Sequence, residues 1–157
     1  MSQTIAKNIT DRLQGHINKG SGTIEAAGDG ASVSVDVEQS ERYAVGVRGI
    51  TVRPHQPIED VRGAADRIVD GAQELGEPLA VVEADKDRAI VRSAEPEADE
   101  GGVTYWEADV RSDETSLHRY RKEHDAIERE VVTEPLPHRT VGKIAEQLAD
   151  SMNTNGR

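Results

Sequence analysis

The chain has 157 residues, a formal net charge of −11 and no cysteine. The length suits a single domain, and the excess of acidic side chains weighs against nucleic acid or an anionic membrane surface as a partner. The absence of cysteine excludes disulfide bonds and thiolate nucleophiles.

The apolar residues available for a core favour sheet over helix. Val contributes 16 residues, Ile 10 and Leu 6, whereas Phe is absent and Trp occurs once. Branched side chains suit pleated strands better than helices. Because such a core is thin and the charged chain repels itself, a second subunit or screening salt would stabilise it, and we expect a homodimer. The acidic bias, with 14 Arg against 5 Lys, also resembles that of proteins adapted to high internal salt.

No segment predicts export or membrane insertion. The N-terminal residues MSQTIAKNIT hold no apolar run of about seven residues, and no run in the chain reaches about eighteen. We therefore expect a cytoplasmic protein.

The first predicted element is an amphipathic helix over residues 4–19. Its apolar residues recur every four positions and are Ile5, Ile9, Leu13 and Ile17. Gly20 follows, and glycine commonly ends a helix. The spacing leaves open whether this stripe packs on a sheet or on another subunit.

Three strands follow the first helix. A short strand is predicted at 23–26, and at 31–37 three valines alternate with polar residues. The apolar residues of the third strand are Tyr43, Val45, Val47, Ile50 and Val52. Their alternation changes phase between Val47 and Ile50, and Gly49 lies at the change, so we predict a β-bulge there.

The second half of the chain adds two helices and five strands. The predicted elements are a helix at 57–75, a hairpin of strands at 79–84 and 88–93, a flexible acidic loop at 95–102, a three-strand meander at 103–134 and a helix at 138–152. Residues 1–3 and 153–157 are expected to be frayed. The result is one α+β domain with antiparallel sheet and three amphipathic helices, in the order helix, three strands, helix, two strands, three strands, helix.

The segment SLHRYRKEHD, residues 116–125, concentrates basic and aromatic side chains in an acidic chain. With a four-residue turn at SDET, Trp106 would face Arg121 on the neighbouring strand, and Arg121 would lie over the indole ring. The next hairpin would set Arg119 beside Glu130. Cross-strand pairs of this kind predict a solvated charge ladder, which we favour over a binding site.

Candidate functional residues are few. If the segment binds a ligand, a small anion or an acidic peptide is expected, at Trp106, Arg119, Tyr120 and Arg121. A metal site made of His118, His124 and Asp125 matches no tight ligand spacing, so we predict no metal site and no cofactor. His55 and His138 lie beside prolines near predicted helix starts, and we attribute the prolines to chain direction rather than to an anion site. No nucleotide-binding or nucleophile motif is present, which leaves catalysis without a candidate residue.

The coarse order of elements, in a small acidic chain without cysteine, resembles the type III secretion chaperone-like fold. The resemblance covers residues 4–152 and rests on architecture, with no shared residue motif and with more strands after the second helix than that family has. It implies a homodimer that binds extended segments of client proteins along sheet and helix.

Two hypotheses follow for the function. The first is a non-catalytic, homodimeric protein-interaction or chaperone-like module that holds a protein partner on a sheet face or an amphipathic helix. The alternative is a small-anion-binding or enzyme domain with its pocket near the four candidate residues. Neither hypothesis has nucleic acid or a membrane as partner.

Overall fold

The computed structural model describes residues 4–28 and 30–153. Its elements are α1 (Ile5–Gly15), β1 (Gly22–Gly28), β2 (Ala31–Ser40), β3 (Val45–Pro54), α2 (Val61–Gly71), β4 (Leu79–Ala84), β5 (Arg88–Ser93), β6 (Glu97–Ala98), β7 (Gly102–Arg111), β8 (Thr115–Glu123), β9 (Glu130–Val132), β10 (Glu134–Leu136) and α3 (His138–Ser151). Residues 1–3 and 154–157, which the sequence predicts to be frayed, lie outside the described residues.

Every strand in the described part of the chain belongs to one antiparallel sheet. Seven strands run in the order β1, β2, β3, β8, β7, β5, β4, and the short strands β6, β9 and β10 pair with β7, β8 and β3. Strand β3 pairs with β8 only over Ile50–Val52. Outside that segment β3 pairs with β10, and β8 pairs with β9. The α+β class and the predicted order of elements are confirmed, with β6 and β10 as short additions.

All three described helices pack on the same face of the sheet. The first and third helices contact each other and the β1 to β3 side, while α2 contacts β4, β5 and β7. Their buried residues meet an apolar face of valines and isoleucines that includes Val35, Ile50, Val52, Val91 and Val110. The opposite face of the sheet carries no helix among the described residues, and we call it the open face.

The predicted β-bulge in β3 is confirmed. Asp36 pairs with Gly49 whereas Val37 pairs with Val47, so Arg48 is the extra residue. A second irregularity on β2 follows directly, between Val37 and its neighbour Gln39. The prediction that Tyr43 joins the strand is wrong, because β3 begins at Val45 and Tyr43 is exposed in the preceding turn.

Two helices are shorter than the sequence pattern predicts. The first ends at Gly15 and not near residue 19. The second begins at Val61 because the side chain of Asp60 accepts the N–H of Gly63 and caps it, which leaves Pro57 outside. A separate 3-10 turn over Gln73–Leu75 follows. At the second helix the periodicity continued into the flanks because Ile58 and Leu75 also pack on the core.

The acidic segment 95–102, predicted as a flexible loop, holds a short hairpin. Strand β6 pairs with Thr104 and Val103 of β7. Asp99 closes the turn, since its Oδ1 accepts the backbone N–H groups of Gly101 and Gly102 at 2.8 and 3.0 Å. The carboxylate of Asp99 therefore orders a segment that its acidic composition predicted to be flexible.

A close helix crossing joins α1 to α3 at Gly142. A Cβ atom at Gly142 would lie 2.4 Å from Thr10 Oγ1 and 2.6 Å from the backbone oxygen of Ala6. Thr10 in turn donates its hydroxyl to that same Ala6 oxygen. The crossing distance is therefore set by the absence of a side chain at this one position.

We expect Gly142→Ala to destabilise the fold by about 1 to 3 kcal/mol, because the added methyl group must push backbone apart. Gly15→Ala is the matched control, since nothing lies within 4 Å of the added carbon there and alanine favours helix. Urea unfolding of both variants provides the measurement. Equal stability of the two variants would contradict the close crossing.

A buried hydrogen-bond chain links α1, β2 and α3. Ser40 donates its hydroxyl to Leu13 O at 3.0 Å and lies 3.1 Å from Nε2 of His138, whose side chain is buried. Because the single hydroxyl proton goes to Leu13, His138 must donate from Nε2 to Ser40. Burial lowers the pKa of His138. The first residue of α3 is therefore a neutral histidine that ties three elements together.

This link predicts a loss of stability in mild acid. Below the ordinary histidine pKa of about 6.5 the unfolded chain takes up a proton that buried His138 resists, so the free energy of unfolding falls with falling pH and levels off above that value. We expect the slope of stability against pH between about 5 and 6.5 to be smaller in His138→Gln than in the parent protein. His55→Gln, which removes an exposed loop histidine, serves as control. The same slope in parent and His138→Gln would refute the assignment.

Candidate functional site

The four residues predicted as a binding site lie on two faces of the sheet. Successive side chains of a strand point to opposite faces. Trp106, Arg119 and Arg121 therefore share the helix-covered face, whereas Tyr120 belongs to the open face. The structure brings the first two together but does not gather all four around one space.

The pairing of β7 with β8 differs from the predicted pairing by two residues. Trp106 lies opposite Arg119 and not opposite Arg121. The turn holds two residues rather than four, since Arg111 donates its N–H to Glu114 O at 2.8 Å. Arg121 likewise pairs with Glu130, which had been predicted beside Arg119. Because each error is two residues, every side chain keeps its predicted face.

Arg119 is buried against Trp106 and two glutamates. Its Cζ lies 5.3 Å from the indole ring centroid, and both side chains are at least 93% buried. Nε of Arg119 lies 3.2 Å from Glu134 Oε1, and Nη1 lies 3.6 Å from Glu77 Oε1. Ser93 connects the group to β7, donating to Glu77 and accepting the N–H of Trp106. The predicted cation–π contact thus exists, made by Arg119 in place of Arg121.

Arg121 is also neutralised by carboxylates. It donates to both oxygens of Asp99 at 2.9 and 3.0 Å and to Glu123 at 2.7 Å. These bonds hold the pKa of Asp99 well below its usual range. Both arginines are therefore neutralised, but the predicted solvated ladder of cross-strand pairs is wrong, because their partners lie in turns, on β8 itself and on β10, and Arg119 is buried.

The most buried carboxylate of the open face is Glu107, which is 6% exposed. Arg92 Nε donates to Oε1 at 2.6 Å, and the guanidinium of Arg129 binds both oxygens at 2.7 and 2.8 Å. Burial alone would raise the pKa of Glu107, but the hydrogen bonds from Arg129 and Arg92 outweigh it and hold the pKa below its ordinary value. Glu107 is thus an ionised group fixed between two arginines.

Arg129 folds the β8–β9 loop onto the open face. Its Cζ lies 3.7 Å from the ring centroid of Tyr120, and Nη1 donates to the hydroxyl of Tyr105 at 3.1 Å. The two tyrosine rings are cross-strand neighbours with centroids 6.0 Å apart. Lys122 holds the same loop by donating to the backbone oxygens of Glu123 and Ala126. Because the guanidinium of Arg129 is stacked on a ring and also hydrogen-bonded, its side chain has few alternative rotamers.

A second carboxylate of the open face also binds two arginines. Asp109 accepts from Arg88 at 3.0 and 3.1 Å and from Arg111 at 3.3 and 3.4 Å. Together with Arg92 and Arg129 on Glu107, this makes four arginines on two carboxylates. The β7 and β5 side of the open face therefore has an excess of positive charge, in a chain whose net charge is −11.

His118 lies on the open face over Gly49 of the adjoining strand. A Cβ atom at Gly49 would come within 2.8 Å of the imidazole, so glycine makes room for the ring. Burial lowers the pKa of His118. In the described part of the chain no group of three or more His, Asp or Glu side chains is placed to hold a metal ion.

Sequence reasoning missed Glu107 and Arg129 as the centre of the open face. No sequence pattern singled out Glu107, and Arg129 lies in a turn whose direction the sequence does not give. The available signal was the alternation of β7, which places Tyr105, Glu107 and Asp109 on one face with Tyr120 as the neighbour of Tyr105.

Known proteins give no relative of this arrangement, since no family model, curated protein or solved structure matches the chain. Within residues 4–28 and 30–153, no helix is long and apolar enough to span a membrane. The function must therefore be argued from the geometry of the open face.

The paired arginines predict a large cost for neutralising Glu107. We expect Glu107→Gln to lower the free energy of unfolding by about 2 to 3 kcal/mol, because two guanidinium groups lose their counter-charge, while their own partial exposure limits the loss. Asp66→Asn on α2 breaks an exposed pair with Arg62 and should cost less than about 0.5 kcal/mol. Urea unfolding at pH 7 compares the two. A Glu107→Gln variant as stable as Asp66→Asn would show that the pairing contributes little.

Proposed function

We propose that the protein is a non-catalytic protein-interaction module that binds an acidic protein surface on the basic half of its open face. We define the basic half as the open-face side chains of β8, β7 and β5, with Arg129 from the β8–β9 loop. The observation that carries the proposal is the sharing of Glu107 and Asp109 by four arginines. Each carboxylate neutralises one arginine, and the second is left for a partner.

The basic half suits a protein partner because its cations are already ordered. Arg129 is fixed by Glu107 and by the Tyr120 ring, so little side-chain entropy remains to be lost when a partner binds. Arg and Tyr are also the residue types enriched where proteins bind each other. A polar, half-buried face of this kind fits a protein surface better than a small molecule, which needs a concave pocket.

Acidic protein rather than nucleic acid is the matching partner. A phosphate backbone carries charge along its whole length and would extend beyond the basic half onto acidic neighbours such as Asp36 and Glu25. An acidic protein surface presents a limited number of carboxylates, which matches a limited excess of arginines. Because the rest of the chain is mostly acidic, only a partner whose carboxylates match the basic half is attracted, and this favours one specific partner over polyanions in general.

The alternative hypothesis, a small-anion or enzyme pocket at Trp106, Arg119, Tyr120 and Arg121, has less support. Arg121 is hydrogen-bonded to carboxylates, Arg119 lies in ion-pair range of two glutamates although its buried Nη1 makes no hydrogen bond, and Tyr120 faces away from both arginines. The cytoplasmic location and the resemblance to the type III secretion chaperone-like fold stay predictions from the sequence.

The proposal predicts binding of an acidic peptide that depends on open-face arginines. The probe is a fluorescein-labelled twelve-residue peptide of alternating Glu and Ser, followed by anisotropy. Arg88→Gln with Arg92→Gln removes two positive charges and leaves Asp109 paired with Arg111 and Glu107 with Arg129, so we expect affinity to fall about tenfold. Arg62→Gln with Arg139→Gln makes the same charge change on the helix side and should leave affinity within about twofold.

Two results would count against the proposal. One is equal loss of affinity in the two double variants, which would make the binding a response to net charge alone. The other is equal binding of a peptide in which Lys replaces Glu.

A further inference from the structure

We infer that the acidic surface bound by the basic half is supplied by a second copy of this chain, packed open face to open face about a two-fold axis. This inference rests on the proposed function and names the partner of that same surface. The axis runs along the strands, near the border between β3 and β8. In this arrangement the basic half of each copy covers the β1 and β2 side of the other.

The β1 and β2 side of the open face is acidic and made of small residues. The charged side chains of the two strands are Glu25, Asp36 and Glu38, all exposed, and neither strand contains Lys or Arg, although Arg53 of β3 pairs with Ser32 at the border. Thr23 donates its hydroxyl to Asp36 at 2.9 Å, which holds that carboxylate in place. Ser32 and Ser34 complete a low surface between Glu25 and Asp36. We call this region the acidic half.

The two halves are complementary in size as well as in charge. The basic half bears the large side chains Tyr105, Tyr120 and Arg129, whereas the acidic half bears serines, a threonine and alanine. A two-fold rotation about an axis along the strands reverses the order of the strands. It therefore places the basic half of one copy, with its large side chains, over the acidic half of the other, with its small ones. Rotation about an axis across the strands would instead set basic on basic.

Residues on the axis itself also satisfy the symmetry. Side chains near a two-fold axis meet their own copies, so a charge there would face a like charge. The border between β3 and β8 carries Thr51 and Ser116, two small hydroxyl groups 3.3 Å apart, and next to them the ion pair of Arg53 with Glu114 at 3.2 Å, whose charges cancel. Both hydroxyl side chains are neutral and half-buried, and each can donate or accept. A self-complementary face requires such a border without net charge between its acidic half and its basic half.

Charge places specific pairs across the interface. With β3 over β8 of the other copy, β2 lies over β7 and β1 over β5. Glu25 of one copy then lies near Arg88 and Arg92 of the other, which stand on either side of the point on β5 that Glu25 faces. Asp36 lies near Glu107 with its two arginines. Both carboxylates therefore meet the unmatched positive charge of the basic half.

Sedimentation velocity in about 0.15 M potassium chloride tests the arrangement, since this salt screens the long-range repulsion between two acidic chains but screens close, partly buried ion pairs less. We expect the parent protein to be a dimer. Glu25→Arg reverses one charge and Ser34→Tyr raises the low surface, and each should weaken dimerisation at least about tenfold. Glu59→Arg, an equal charge reversal in an exposed segment outside the open face, should leave the dimer unchanged. The buried Trp106 reports through its emission that each variant is folded.

A charge exchange identifies the two halves. Glu25→Arg combined with Arg88→Glu restores opposite charges across the axis and should recover the dimer, and a folded double variant that stays monomeric contradicts the two-fold arrangement. A parent dimer that both Glu25→Arg and Ser34→Tyr leave intact forms elsewhere, which also overturns the inference. A parent protein that is monomeric yet binds the acidic peptide removes the second copy as partner and leaves the proposed function standing. If both hold, the acidic peptide should dissociate the dimer.

Discussion

Two carboxylates of the open face, Glu107 and Asp109, each bind two arginines, and this sharing determines the charge that the sheet presents to a partner. An ionised glutamate taken out of water is costly unless several donors replace its hydration. Glu107 obtains three such hydrogen bonds from Arg92 and Arg129, and the bond from Arg129 also fixes a loop and covers Tyr120. One carboxylate therefore orders the centre of the open face. The arrangement also leaves surplus cations on this part of a chain whose net charge is −11.

The thin core explains why so much of the order lies outside it. Helices cover only one face, and the core is shared between their buried residues and the buried residues of the strands beneath them. On the open face Ile90 is buried without belonging to that core. Its neighbours Arg88 and Arg92 carry long aliphatic stems, which can cover apolar surface while their charged ends remain in contact with carboxylates. Ion pairs and apolar contacts on this face are therefore parts of one surface.

Local patterns in the sequence predict the elements well but predict their lateral partners poorly. The stripes Ile5, Ile9 and Leu13, and Val141, Ile144 and Leu148, identify α1 and α3 because one face of a helix repeats within two turns. The bulge at Gly49 follows from a change of phase within a single strand. Strand pairing depends instead on turn length, and two residues rather than four between Arg111 and Glu114 moved Trp106 from Arg121 to Arg119. The insertion of β9 and β10 between β3 and β8 depends on the whole sheet, and no local pattern reports it.

The alternation of strands limits the site as strongly as the charges do. A run such as Arg119, Tyr120, Arg121 cannot line one surface while it stays extended, because its middle residue faces away. Neighbours on one face come from different strands, so the surface around Tyr120 is composed of Tyr105, Glu107 and a turn residue, Arg129. The same rule assigns Glu25 and Asp36 to the face that also carries those arginines, at the other end of the sheet. A single polar face thus has carboxylates at one side, an excess of arginines at the other, and hydroxyls with the Arg53–Glu114 ion pair between them, so its charge is divided along the sheet because alternation selects which residues of each strand reach it.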